Sequence, residues 1–186
     1  VRLEVGPQSY VIEEAALAEA EAFWESMRPS AALSPDADLE IDGIVELAEV
    51  GFDAVTSIGA KAANLAEMAA IEGAPIPLPE SPFALPFAMY QRHLERSGLD
   101  QRADALIADL RAGALDDDEL RARLFELRWL IFQSEIDPAD LELVTTALRA
   151  RYADTRRIRF RSSTNVEDLD EFSGAGLYTS ASASSS

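Results

Sequence analysis

Apolar residues along this chain follow two periods, and the residues that punctuate them mark most of the elements. Phe87, Tyr90 and Leu94 predict a short helix closing at Gly98, and Leu99, Ala103, Leu106, Ile107 and Leu110 predict another closing near Gly113. Asp116 with Glu119 three residues later forms a capping-box pattern ahead of a longer helix whose stripe is Leu120, Leu124, Leu127 and Ile131. Asp137-Pro138 starts a further helix, with Leu141, Val144, Leu148 and Tyr152 facing inward. Phe125 and Trp129 either extend this core or mark a contact with a further lobe, and the core is the favoured place. Earlier, Ser57 is the expected N-cap of a helix carrying Ile58, Leu65, Met68, Ala69 and Ile71 and stopping at Gly73. The two-residue period appears at Leu3, Val5, Tyr10 and Ile12, which allow a short strand or a hairpin around Gly6-Pro7. An acidic helix over 13–27 follows, then a linker over 29–38. The period returns where Ile158 and Phe160, expected to face the core, alternate with Arg157, Arg159 and Arg161. The closing run from Ser180 to Ser186 is expected to be a flexible linker or the start of a segment cut short.

Composition changes this picture at one place. The chain has 186 residues and a formal charge of -18, which disfavours nucleic acid and anionic lipid as partners. Yet Arg156, Arg157, Arg159 and Arg161 fall within six positions. Arg161 is followed by Ser162 and Ser163, then by a glycine-containing stretch through Ser173, Gly174 and Gly176. Guanidinium, hydroxyls and unobstructed backbone amides are the donors that a polyphosphate requires. A second cation is singled out by usage, because Lys61 is the only lysine beside fifteen arginines. In the first turn of its helix a cation opposes the dipole, and a bound phosphate would remove that conflict. The alternatives are a solvated Lys61, and an ion pair of Arg161 with Glu167 or Asp168. With no cysteine, disulfide and thiolate chemistry are excluded, and no apolar run approaches the length of a membrane span. His93, the one histidine, lies mid-helix and is expected to be a partly exposed surface residue.

The run from Arg161 through Ser162-Ser163-Thr164-Asn165-Val166-Glu167-Asp168-Leu169, with Phe172-Ser173-Gly174-Ala175-Gly176-Leu177-Tyr178 behind it, resembles the N-terminal ATP-binding domain of the phosphoenolpyruvate synthase and pyruvate, phosphate dikinase family. The related glucan, water dikinases share the likeness. An earlier block, Ser57-Ile58-Gly59-Ala60-Lys61-Ala62-Ala63-Asn64-Leu65-Ala66-Glu67-Met68 with Pro75-Ile76-Pro77 and Phe83-Ala84-Leu85-Pro86, is similar to that family's opening segment. Two blocks in the right order, roughly a hundred residues apart, are more specific than either alone. Ala60 departs from the family by replacing the second glycine of the usual pair. Asp170-Glu171 departs by placing two negative charges ahead of the glycine loop.

The resemblance implies an α+β fold: the amino-terminal portion of an ATP-grasp-like nucleotide-binding domain, helix-rich with a small sheet. Residues 1–44 are expected to form an arm and linker, and residues 45–186 a partial ATP-binding domain truncated at its C-terminus. It further implies ATP and Mg²⁺ as cofactors, with the metal held mainly by a missing C-terminal lobe, and a downstream phosphohistidine carrier domain as partner. Lys61 and Arg161 would neutralise phosphate charge, Ser162 and Ser163 would orient it, and Ser173, Gly174 and Gly176 would form a covering loop. No catalytic residue and no metal ligand is assigned within the chain, and a cytoplasmic location is expected. The isolated chain is expected to lack dikinase activity. The alternative function is a noncatalytic interaction module that keeps the fold.

Overall fold

The computed structural model describes residues 1–27, 35–71, 77–152, 157–166, 168–169, 172–173 and 178–184. It is a helix-rich α+β arrangement in which the strands form two-stranded ribbons. The first ribbon pairs β1 (Arg2–Val5) with β2 (Tyr10–Glu13), turning where Gly6 N–H donates to Ser9 O at 2.8 Å. Arg2 ties this hairpin to helix α1 (Leu17–Met27) through Glu19 at 3.0 Å, and also pairs with Glu13. The hairpin and α1 follow the expected order, although Glu13 falls in the strand and the helix begins at Leu17.

The core forms around β3 (Val45–Glu46), which pairs antiparallel with β4 (Phe83–Ala84). Val45, Leu47, Ala54, Ile58 and Ala66 are buried together, with Ile41, Val50, Leu65 and Ala84 packed against them. These residues come from the ribbon and the chain flanking β3, a 3-10 turn at Phe52–Ala54, the short helix α2 (Val55–Ile58) and helix α3 (Ala60–Ala70). Glu67 of α3 accepts the Phe52 N–H at 2.7 Å, so α3 holds the turn that precedes it. Small side chains set this packing, since Ala63 and Ala66 are the buried face of α3 while Met68 and Ile71 are exposed.

The remaining helices spread outward from this centre. Helix α4 (Phe87–Ser97) ends at Gly98, whose φ of 65° is the left-handed cap that the sequence predicts. Helix α5 (Leu99–Arg111) packs between α4 and α6 (Asp117–Gln133). The capping box at the start of α6 is present, with Asp116 Oδ1 accepting from Glu119 N–H at 2.9 Å. Helix α7 (Pro138–Arg151) begins under the Asp137 cap, and its last turn clamps the ribbon: Arg151 pairs with Glu46 and lies 4.8 Å from the Phe83 ring centre. Arg92 of α4 joins Asp42 at 3.0 Å to Asp140 of α7 at 2.9 Å.

The expectations for α6, the last core strand and the closing run require correction. Helix α6 has no buried residue; Leu120, Leu127 and Ile131 are half-buried, while Leu124, Phe125 and Trp129 are exposed. Apolar residues of α6 point in several directions, so their period does not choose a single face. Strand β5 (Arg157–Phe160) keeps Ile158 half-buried but leaves Phe160 exposed. The closing run is not a flexible linker, because β8 (Ala181–Ser184) pairs with β5 antiparallel, Phe160 opposite Ala181. Alternating Ala and Ser fit a pleated surface without clash, and Ser182 Oγ accepts from Arg159 at 3.0 Å. Between β5 and β8, β6 (Asp168–Leu169) and β7 (Phe172–Ser173) form the last ribbon.

Candidate phosphate-binding junction

The two sequence blocks meet at the start of α3, and a glycine makes the meeting possible. Gly59 has φ 81° and ψ 164°, a backbone conformation that is essentially glycine-only. A Cβ there would lie 2.5 Å from Ser163 C and 2.6 Å from Thr164 N. With no side chain in the way, the loop after β5 lies directly on the helix start. Ala60 N–H donates to Thr164 O at 2.9 Å, and Ala62 N–H donates to Ser163 Oγ at 3.0 Å. A residue 101 positions away thus supplies the side-chain cap that the helix lacks locally.

Ser57 is therefore not the N-cap, a role that falls to Gly59. Ser57 is buried in α2, and its hydroxyl donates to Asp38 Oδ2 at 2.8 Å. Asp38 N–H returns a bond to Thr56 O at 2.9 Å, while Asn165 Nδ2 donates to Asp36 O at 2.7 Å. The segment around Asp36 and Asp38 straps both blocks. Hydrogen bonds from the Glu40 N–H and then the Ser57 hydroxyl hold the Asp38 carboxyl below the ordinary carboxylate range. The strap's role was not legible locally, because its partners lie near positions 57 and 165.

Around this junction the structure places the predicted cations within a few residues of one another along touching segments. Lys61 is half-buried in the first turn of α3, between the two residues whose amides hold Ser163 and Thr164. Arg161 is exposed at the end of β5, two residues before Ser163. Among the described residues Arg161 has no carboxylate partner. Glu167, named above as one such partner, lies outside the described residues, as do Gly174 and Gly176. Ser173 is described as part of β7.

The hydroxyls divide into two kinds. Ser163 Oγ accepts from Ala62 and retains its own proton to donate elsewhere. Ser162 Oγ and Thr164 Oγ1, on either side, are buried with no hydrogen-bond partner among the described residues. A buried donor left in that state costs about 1–3 kcal/mol, so the set is short of acceptors. Hydroxyl protons without acceptors among the described residues are donors of the kind an oxyanion accepts.

The family described as pyruvate phosphate dikinase, AMP/ATP-binding domain, matches residues 55–182. The chain belongs to that dikinase family. Both blocks, and every residue proposed for phosphate contact, lie inside the matched span of this dikinase-family AMP/ATP-binding domain. No curated protein and no solved structure matches the chain. The structure also gives the Ala60 departure a physical reading. Glycine is required at Gly59, where a Cβ would strike backbone, whereas Ala60 begins the helix and uses its amide rather than the space beside its Cα.

His93, the residue to weigh in a dikinase-family chain, is half-buried in α4 with Nε2 2.7 Å from Ser134 Oγ. Ser134 Oγ also donates to Ile131 O at 2.7 Å, leaving the imidazole to donate into the pair. That contact joins the end of α6 to α4. Among the described residues no helix is long and apolar enough to cross a membrane, and no group of three or more His, Cys, Asp or Glu is placed to hold a metal.

Proposed function

We propose that this domain holds the phosphates of ATP for a dikinase-type phosphotransferase, in which the phosphoryl group passes to a histidine on a downstream carrier domain. The observation that carries the reading is the junction itself. Gly59 allows the Arg161-Ser162-Ser163 loop to lie on the helix that bears Lys61, and buried hydroxyls on that loop lack acceptors among the described residues. Lys61 and Arg161 neutralise phosphate charge, Ser162 and Ser163 donate to phosphate oxygens, and Ser173, Gly174 and Gly176 belong to the covering loop.

Bound ATP with Mg²⁺ supplies an activated phosphoryl group whose transfer depends on positioning and charge neutralisation. This chain's part is to bind and orient. The two helix amides are already occupied by Ser163 and Thr164, so α3 contributes its lysine and a rigid base rather than an open anion nest. Metal ligation belongs in this reading to carboxylates of a further lobe. His93 serves packing between α4 and α6 rather than phosphoryl transfer.

Calorimetric titration with ATP and Mg²⁺ tests the proposal on the wild-type chain and on Lys61→Ala and Arg161→Ala. Each loss of a charge-assisted contact is expected to weaken binding by about 1.5–3 kcal/mol, roughly tenfold or more. Unchanged affinity in both variants would remove the junction from the nucleotide site.

A further inference from the structure

Two apolar surfaces face solvent at once, and their chemistry is complementary. One is the N-terminal arm. Strands β1 and β2 are exposed throughout, and α1 has no buried residue; Leu17, Phe23 and Trp24 are 75%, 58% and 71% exposed. A lone two-stranded hairpin is marginal in water, so a hairpin bearing an uncovered aromatic helix calls for a surface to lie on. The other surface is the outer side of α6. Its inner side, through Leu127 and Leu130, lines a groove shared with Leu106 of α5. Opposite lie Phe125, Trp129 and Phe132, spaced four and three apart and therefore on one face, at 73%, 55% and 78% exposure.

Charge distinguishes the two surfaces. Helix α1 carries Glu19, Glu21 and Glu25 and no basic residue. The aromatic face of α6 is bordered by Arg121, four residues before Phe125, and by Arg128, four before Phe132, both exposed. An acidic helix bearing the adjacent Phe23–Trp24 pair thus matches an aromatic stripe edged with arginines. Tryptophan and arginine are also the side chains that most often anchor protein contacts.

We propose that the faces meet between two copies of this chain, the arm of each seated on α6 of the other. Within one copy both faces are open together, whereas reciprocal exchange covers both and closes with two-fold symmetry. Covering the six apolar side chains buries roughly 600 Å² in each contact, at about 100 Å² apiece. The two contacts together reach about 1,200 Å², the lower edge of stable interfaces. The expected assembly is a dimer that dissociates in the micromolar range.

Sedimentation equilibrium on the chain tests this. Wild type is expected to be dimeric at tens of micromolar, and a chain lacking residues 1–27 monomeric. Trp24→Glu and Trp129→Glu change exposed residues, so helicity by circular dichroism should be retained while each raises the dimer dissociation constant at least tenfold. The distinguishing result is the mixture. A chain with an impaired arm and one with an impaired α6 face can form one intact contact between them, so mixing the two variants should restore association that neither shows alone. A wild-type chain that is monomeric throughout would overturn the proposal. So would a dimer indifferent to both substitutions, or a monomer in which Trp129→Glu alters Trp24 fluorescence, since that last result would mean the arm folds back onto its own chain.

Discussion

Replacing Gly59 by alanine should separate the close approach at the junction from ordinary glycine flexibility. At φ 81° and ψ 164° a non-glycine residue carries about 1–3 kcal/mol of backbone strain. The added Cβ would also sit 2.5 Å from Ser163 C and 2.6 Å from Thr164 N, both backbone atoms that cannot rotate aside. Overpacking of this kind adds about 1–3 kcal/mol. The total of about 2–6 kcal/mol is a large part of the 5–15 kcal/mol by which domains are stable. Gly43 provides the control, having φ 82° and nothing within 4 Å of the position a Cβ would take, so Gly43→Ala reports strain without contact. Urea unfolding of both variants at unchanged slope gives the two losses directly. Gly59→Ala should exceed Gly43→Ala by at least about 1 kcal/mol, the lower end of the overpacking cost. Equal losses would mean that the loop after β5 does not rest on Gly59, and the junction would fail with it.

Ser163→Ala removes the acceptor for Ala62 N–H and should cost about 1 kcal/mol while speeding hydrogen exchange at that amide; unaltered exchange would refute the capping role. Asp116→Ala breaks the capping box of α6 and should cost about 1 kcal/mol in chemical denaturation, with the loss confined to that helix. For Asp38, the folded pKa lies below the unfolded value, so its contribution is complete above the ordinary carboxylate pKa of about 3.9 and is lost as pH falls through the folded value. Ser57→Ala should therefore raise the Asp38 pKa and move acid release of the strap to higher pH, as read by carboxylate NMR; an ordinary Asp38 pKa in the wild-type chain would contradict the hydrogen bonds assigned to it.

Helix ends were legible because their signals are local. Gly98, the pair Asp116 and Glu119, and Asp137-Pro138 each act within one turn, and each stands where the sequence predicts. Helix faces were less legible. In α6, Leu120, Leu124, Phe125, Leu127, Trp129, Leu130, Ile131 and Phe132 point in several directions, and only its packing on α5 reveals which aromatics remain outside. Ser57 shows a different failure. Serine is a favoured N-cap, but Asp38 takes its hydroxyl, and the cap of α3 comes from Ser163, far along the chain. The pairing of the Lys61 and Arg161 blocks could be anticipated from their likeness to one family. The amide-to-hydroxyl contact that joins them could not.

That long-distance cap has a consequence for how the protein is made. The first turn of α3 waits for residues 163 and 164, synthesised about a hundred positions later. At about 5–20 residues per second, a ribosome takes roughly 5–20 s to deliver them. Through that interval the nascent chain has Gly59 and Lys61 in place, but the amides of Ala60 and Ala62 are without their final acceptors. The lysine-bearing helix is thus completed only about a hundred residues after its own synthesis, when the arginine-bearing loop arrives to close it.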